Sequence, residues 1–308
     1  MKSKRNKTID FPIEQAGSYI SQCVDGQDVD IIKANSVVFG DAYQNIQKIE
    51  NQSVDLLIVD PPYNLNKNFH GNNFAKMSLK EYAKYTENWI ELVKPKLKKT
   101  ASVYVCCDWA SAIVIGEVLA RNFILRNRIT WQREKGRGAK SNWKNSMEDV
   151  FFATLSDEYT FNLEAVKQRK KVLAPYKQDG IPKDWQQTEE GKFRNTCPSN
   201  FWDDISVPYW SMPENTAHPT QKPEKLIAKL VLASSNPNDV VLDIFAGSGT
   251  TGVVASKLDR KYILLEQNKT YCAWALYRLE QAKIDKSIQG YHNGVFWERN
   301  SNPKNQKW

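Results

Sequence analysis

The sequence predicts an α/β protein built on a mostly parallel sheet with helices on both faces. Three observations lead there. Short β-branched runs, such as Val54–Val59 and Val240–Ile244, alternate with stretches of helical periodicity. These runs are apolar at consecutive positions, as expected of strands covered on both sides. Two of them stop in loops of unusual chemistry, Asp60-Pro61-Pro62 and Gly247-Ser248-Gly249. Open α/β sheets place their sites at such strand ends.

The elements follow in order. Residues 1–35 are polar and irregular and read as an N-terminal arm. Ser36–Phe39 is a short strand ending in Gly40-Asp41, and Ala42–Ile49 suits a short helix. Val54–Val59 is a buried strand with a forced stop, because proline cannot continue the ladder. Leu79, Tyr82, Tyr85, Trp89, Leu92 and Val93 recur at helical spacing behind Ser78, with Glu81 completing a capping box. A strand at Ser102–Cys106, a helix over 110–121 and strands over 123–131 and 149–155 complete a first part spanning 36–155. Residues 156–216 break the rhythm: the stretch is polar, basic and turn-rich, and carries Trp185, Trp202 and Trp210. Regularity returns over 217–286 with a helix at Lys222–Ser234, a strand at Val240–Ile244, a helix to about Leu258, a strand at Tyr262–Leu265 and a helix over 269–286. Residues 287–308 read as a tail.

Composition narrows the function. The chain has 308 residues, 41% of them hydrophobic, and a formal net charge of +8, which points to a polyanionic partner. Five cysteines without a C-x-x-C pair, and only three histidines, argue against a disulfide scaffold and a metal module. No stretch has the length or apolarity of a signal peptide or membrane span, so a cytoplasmic setting is expected.

The run from Val240 to Thr251 reads as strand, glycine turn and helix start. Gly247 and Gly249 let backbone approach a ligand, while Thr250-Thr251 stands where a phosphate loop needs lysine. The next strand ends at Glu266, seventeen residues past Gly249, where a carboxylate can accept both hydroxyls of a ribose. A nucleoside with a cationic tail fits this pair. S-adenosylmethionine is such a molecule, with Asp243 positioned to face its ammonium group.

Asp60-Pro61-Pro62-Tyr63 is a rigid loop of acceptors, since each proline fixes φ and removes a donor. The Asp60 carboxylate and Pro61 carbonyl can hold both hydrogens of an aromatic amine, shifting its nitrogen toward a nucleophilic geometry. Tyr63 offers a flat face to a base.

With these motifs in this order, the sequence resembles the β-group of DNA amino-methyltransferases, over roughly residues 36–282. The resemblance implies a Rossmann-like methyltransferase fold with a permuted order: catalytic tetrapeptide, target-recognition insertion at 156–216, then cofactor loop. It implies S-adenosylmethionine as cofactor, no metal, and transfer to N6 of an adenine flipped from double-stranded DNA, since aspartate at the head of the tetrapeptide goes with adenine. It assigns Asp41 and Ala42 to the adenine of the cofactor. His218, Thr220 and Lys222 fall to its methionine end, with Thr220 capping a helix whose N-terminus and Lys222 receive a carboxylate. Phe245, Gly247, Gly249, Thr250, Glu266 and Gln267 complete the cofactor set, and Asn145–Glu148 lines the pocket for the flipped base. Arg133, Lys135, Arg137, Lys140 and Lys144 form a basic run suited to phosphates. A homodimer and a separately acting restriction endonuclease are further partners of such enzymes. Cytosine N4 as target, and a catalytically inactive DNA-binding protein on the same fold, are the competing readings.

Overall fold

The computed structural model describes residues 3–69, 72–133, 141–173, 175–188 and 191–298. Among these, the main sheet has nine strands in the order Val24–Asp25, Ser36–Phe39, Lys261–Glu266, Val240–Asp243, Val54–Val59, Leu97–Cys107, Met147–Thr154, Ile124–Gln132 and Phe201–Trp202. All neighbours are parallel except the two pairings of Met147–Thr154, which are antiparallel. The chain runs outward in opposite directions from the central pair, Val240–Asp243 and Val54–Val59. Their carboxyl ends therefore open onto a crevice at a topological switch point.

The alternation of side chains along the strands divides the core. Leu57, Val59, Val103, Val105 and Cys107 face a cluster containing Tyr82, Trp89, Ile90 and Ile115, from the helices Leu79–Val93 and Ala112–Asn122. Leu56, Ile58, Tyr104 and Cys106 face Leu226, Leu230 and Val231 of the helix Glu224–Ser234. This two-sided cover is why the strands read as continuous apolar runs. The capping box forms as expected: the Ser78 amide donates to Glu81 Oε2 (2.9 Å) and the Glu81 amide to Ser78 Oγ (3.2 Å). The strand expected from Ser102 begins earlier, at Leu97, because Leu97 pairs with Val54.

Both ends of the chain are more ordered than the sequence suggests. The N-terminal segment is not a free arm. Val24–Asp25 adds an edge strand, Ile9 bridges Thr216, and the Phe11 carbonyl accepts from the Trp274 indole (2.9 Å). Phe11 and Tyr19 also pack edgewise on Tyr277 of the helix Lys269–Ile284. At the other end, Tyr291–His292 and Val295–Trp297 are strands, where a tail is expected from residue 287. They complete a five-stranded sheet with Gln186–Thr188, Gly191–Thr196 and Gln168–Lys171, all from the inserted region. Trp185 and Trp202 are buried in this region, and Trp210 is exposed.

A buried ion cluster joins this second sheet to the first. Asp204 sits between Lys225 (2.6 Å) and Lys229 (2.8 Å), and Lys225 also donates to the Trp297 carbonyl (2.7 Å). All three side chains are nearly inaccessible to water, so each charge depends on its partner.

Candidate active site

The crevice holds a cavity of about 310 Å³, within the range of small-ligand sites. Its walls come from the ends of several strands. Gly40, Asp41 and Ala42 follow Ser36–Phe39; Asp60–Tyr63 follow Val54–Val59; Asp243–Ser248 and Thr250 follow Val240–Asp243; Glu266–Asn268 follow Lys261–Glu266. His218, Thr220, Lys222 and Tyr271 also line it.

The glycine turn is shaped by close packing. Gly247 has φ +52° and Gly249 φ +78°, both left-handed. A Cβ on Gly249 would lie 2.5 Å from the Ala275 Cβ, so this glycine lets the turn approach the helix Lys269–Ile284. Gly249 is not among the cavity-lining residues and acts from behind the wall. Arg278 holds the turn from the same side, donating to the Ser248 carbonyl (2.8 Å) and to Thr250 Oγ1 (2.9 Å).

Two buried carboxyls face the cavity. Asp243 accepts from Thr251 Oγ1 (2.6 Å) and the Phe245 amide (3.0 Å). Glu266 accepts from the amides of Gly247 and Asn268, each at 2.8 Å. Burial pushes both up to about 7, against the opposing pull of those hydrogen bonds. A cation or a pair of hydroxyls entering the cavity would stabilise their charged forms.

At the catalytic loop, Lys222 Nζ lies 2.6 Å from Asp60 Oδ2, 3.1 Å from the Tyr63 hydroxyl and 3.3 Å from Glu148 Oε2. Tyr63 donates to Glu148 Oε2 (3.1 Å), and Arg133 closes the group with an ion pair to Glu148 Oε1. Asp60 Oδ1 is buried and has no hydrogen-bond partner among the described residues. Burial pushes the Asp60 carboxyl above its ordinary range; Lys222 opposes this and Glu148 adds to it. Burial alone would lower the Lys222 ammonium, but Asp60 and Glu148 outweigh it and keep it protonated. The Tyr82 hydroxyl donates to the Pro62 carbonyl (2.9 Å), bracing the loop from below.

The structure thus gathers Asp41, Ala42, Asp60, Pro61, Pro62, Tyr63, His218, Thr220, Lys222, Asp243, Phe245, Gly247, Thr250, Glu266 and Gln267 around one cavity. Two expectations change. Thr220 does not cap a helix: the helix begins at Glu224 after Pro223, and its first amide donates to Glu214 Oε2 (2.7 Å). Lys222, expected with the helix N-terminus to receive the cofactor's carboxylate, has its Nζ on the catalytic loop, 2.6 Å from Asp60 Oδ2. Arg133 is engaged by Glu148, Lys144 is exposed, and Lys135, Arg137 and Lys140 lie outside the described residues. Sequence reasoning missed Thr251, Asn268 and Tyr271. Only Thr251, beside the glycine turn, had a local signal.

Comparison with known proteins agrees with this geometry. The sequence pattern of the DNA methylase family, the N6/N4 methyltransferases, matches residues 54–277. DNA adenine methyltransferase YhdJ of Escherichia coli (strain K12) is 35% identical over 258 residues, covering 81% of this chain and 84% of the relative. The type II methyltransferase M1.MboII of Moraxella bovis is 31% identical over 268 residues, covering 83% and 100%. Among solved structures, the cytosine-N4-specific PvuII DNA methyltransferase superposes with a TM-score of 0.60 at 20% identity, covering 82% of this chain and 92% of that one. A DNA modification methylase of Thermus thermophilus, described as putative and complexed with S-adenosyl-L-methionine, gives a TM-score of 0.52 at 18% identity, covering 86% and 98%. The chain belongs to the N6/N4 DNA methylase family, the S-adenosylmethionine-dependent DNA amino-methyltransferases.

Proposed function

We propose that this protein methylates N6 of an adenine flipped out of double-stranded DNA, with S-adenosylmethionine as methyl donor. The observation that carries the reading is Asp60 Oδ1, a buried acceptor without a partner among the described residues. Asp60 lines the same cavity as Asp243 and Glu266. A buried oxygen in that state is costly unless a donor arrives, and an exocyclic amine is such a donor.

The residues present fit the donor molecule. Glu266 suits ribose hydroxyls, Asp243 suits an ammonium group, and Asp41 and Gln267 line the same cavity from the ends of the two neighbouring strands. When bound, S-adenosylmethionine supplies a methyl group activated by its sulfonium. The chain's own work is to hold the amine. Asp60 Oδ1 and the Pro61 carbonyl accept its hydrogens, and Tyr63, fixed through its hydroxyl by Lys222 and Glu148, presents its ring to the base. Extruding the base costs a few kcal/mol, and the net charge of +8 favours the DNA backbone contacts that offset it.

Adenine rests on aspartate at the head of the tetrapeptide and on the relative YhdJ, whose name states adenine. Cytosine N4 is the second reading, because a cytosine-N4-specific enzyme shares the fold. Incubation with DNA and labelled S-adenosylmethionine, followed by digestion to nucleosides, separates the two. N6-methyladenine is the expected product; N4-methylcytosine alone would overturn the choice of base, and unmodified DNA the reading as a whole.

A further inference from the structure

Lys222 stands in the segment His218–Pro223, between the cofactor loop and the catalytic loop. The segment is tied to itself: Gln221 Oε1 accepts from the Thr216 amide (2.8 Å) and hydroxyl (2.7 Å), and Gln221 Nε2 donates to the Glu214 carbonyl (2.7 Å). His218 Nδ1 accepts from the Thr220 amide (3.3 Å). The segment is therefore stiff where Lys222 leaves it, and prolines at 219 and 223 add to that stiffness.

An ammonium group has three donors. In Lys222 two of them go to Asp60 Oδ2 and the Tyr63 hydroxyl, and Glu148 Oε2 stands beside the same nitrogen as an ion-pair partner at 3.3 Å. All three of these oxygens belong to the catalytic loop and its neighbour Glu148, none to the cofactor loop. Locally Asp60 and Glu148 are set against Lys222 and Arg133, with Lys67 as a further cation lining the same cavity. Both side chains of the catalytic tetrapeptide that can move, Asp60 and Tyr63, are held by the same nitrogen.

We propose that Lys222 is the positioning residue of the catalytic loop. It engages Asp60 through Oδ2 alone and so presents Oδ1 as the open acceptor for the substrate amine, while Glu148 is a second carboxylate that shares Lys222 with Asp60. The proposal rests on the reading of Asp60–Tyr63 as the amine-holding loop. It has a geometric corollary. The segment that carries Lys222 also carries His218, which packs against Gly247. One stiff stretch of chain thus touches both the loop that holds the donor and the loop that holds the acceptor, and sets their separation.

The test reads the Asp60 carboxyl directly, by infrared difference titration of the full-length protein with Asp60→Asn as the reference. Affinity for S-adenosylmethionine is measured in parallel by calorimetry. Lys222→Met removes the charge at similar length. Asp60 then titrates higher by about one pH unit or more, and the affinity for S-adenosylmethionine is unchanged. Methyl transfer falls by about 100-fold, the scale of a misplaced reacting group, with its acid limb moved to higher pH. Glu148→Gln, which keeps a partner for the Tyr63 hydroxyl, moves the Asp60 titration the opposite way, to lower pH. If Lys222 instead serves the cofactor carboxylate, Lys222→Met weakens S-adenosylmethionine binding about tenfold or more and leaves the Asp60 titration where it was; that result overturns the proposal. Should Lys222→Met fail to fold, Glu148→Gln decides, and an unmoved Asp60 titration overturns the proposal. Because the titration needs no turnover, failure of the wild-type protein to methylate DNA would count against the proposed function and not against the role of Lys222.

Discussion

A Cβ placed on Gly247 would stand 2.9 Å from Nε2 of His218. The imidazole cannot easily give way, because its Nδ1 is held by the Thr220 amide. The backbone at Gly247 is also left-handed, at φ +52°, which costs a non-glycine residue about 1 kcal/mol or more. Gly247→Ala is therefore expected to shift the turn into the cavity and weaken S-adenosylmethionine binding about tenfold or more. Isothermal titration calorimetry on the folded variant checks this, and unchanged affinity would show that the turn does not shape the donor site.

Asp60→Asn keeps the shape of the carboxylate and removes its charge. The Lys222 ion pair is lost and one oxygen becomes an NH2, which repels an amine donor. Transfer to DNA is expected to drop by about 10²–10³-fold, as when one preorganised catalytic partner is removed. Binding of S-adenosylmethionine should persist. A variant as active as the wild type would remove Asp60 from the mechanism.

The pH dependence of stability has an unusual sign in one window. Asp243, Glu266 and Glu214 are carboxyls that burial pushes up to about 7. The folded protein then keeps protons that the unfolded chain has already released. Stability contributed by these groups is present below the ordinary carboxylate range and declines as pH rises from about 4 to about 7. The cofactor-free protein should thus melt at a higher temperature near about pH 5.5 than near about pH 7.5. Scanning calorimetry reads this, and a melting temperature that rises across the window contradicts it. S-adenosylmethionine, being cationic, should bind more tightly as pH rises through the same range and Asp243 ionises.

Asp204 balances two buried lysines. Asp204→Ala leaves both uncompensated and is expected to cost about 3–5 kcal/mol, read by urea denaturation. Burial already lowers Lys229 to about 8, with Asp204 pulling it back up. A lysine with a lowered pKa costs least where it is neutral, so the variant should lose less stability at alkaline than at neutral pH.

Phe296 is fully buried on the strand Val295–Trp297 and pairs with Gln168. Phe296→Ala should destabilise the protein by about 3–5 kcal/mol. A loss below about 1 kcal/mol, the range of surface substitutions, would mean that the C-terminal strand is not an integral part of the small sheet.

The strand Val54–Val59, the glycine turn and the Ser78 capping box were readable because each is a local pattern of neighbouring residues. Asp60–Tyr63 stood out because two consecutive prolines at a strand end have few purely structural uses. The grip of Lys222 on Asp60 was not readable: the partners lie 162 residues apart in the chain and meet only when the sheet closes. Glu148, which the resemblance puts at the base pocket, stands beside Tyr63 in a charge cluster with Lys222 and Arg133 that no local pattern announces. The edge strands Val24–Asp25 and Tyr291–His292 are two residues long, too short for any periodicity to show. Trp185 and Trp202 stand in a polar stretch whose sequence shows no periodicity that would mark them as buried. Trp202 is buried on the edge of the main sheet, in a cluster that includes Phe296 of the C-terminal strand, and the Trp185 indole donates to the Tyr176 carbonyl.

The place of Val240–Asp243 bears on how the molecule is made. This strand lies in the middle of the main sheet, against Val54–Val59 on one side and Lys261–Glu266 on the other, yet it is synthesised late. Until it emerges from the ribosome, Val54–Val59 keeps one open, largely apolar edge, and Ser36–Phe39 waits for a neighbour that comes later still. Pairings so distant in sequence form slowly and leave unpaired strand edges exposed meanwhile. A growing chain of this design is therefore a candidate client for the chaperones that shield such edges, and its yield in a cell should depend on them more than that of an unpermuted sheet of equal size.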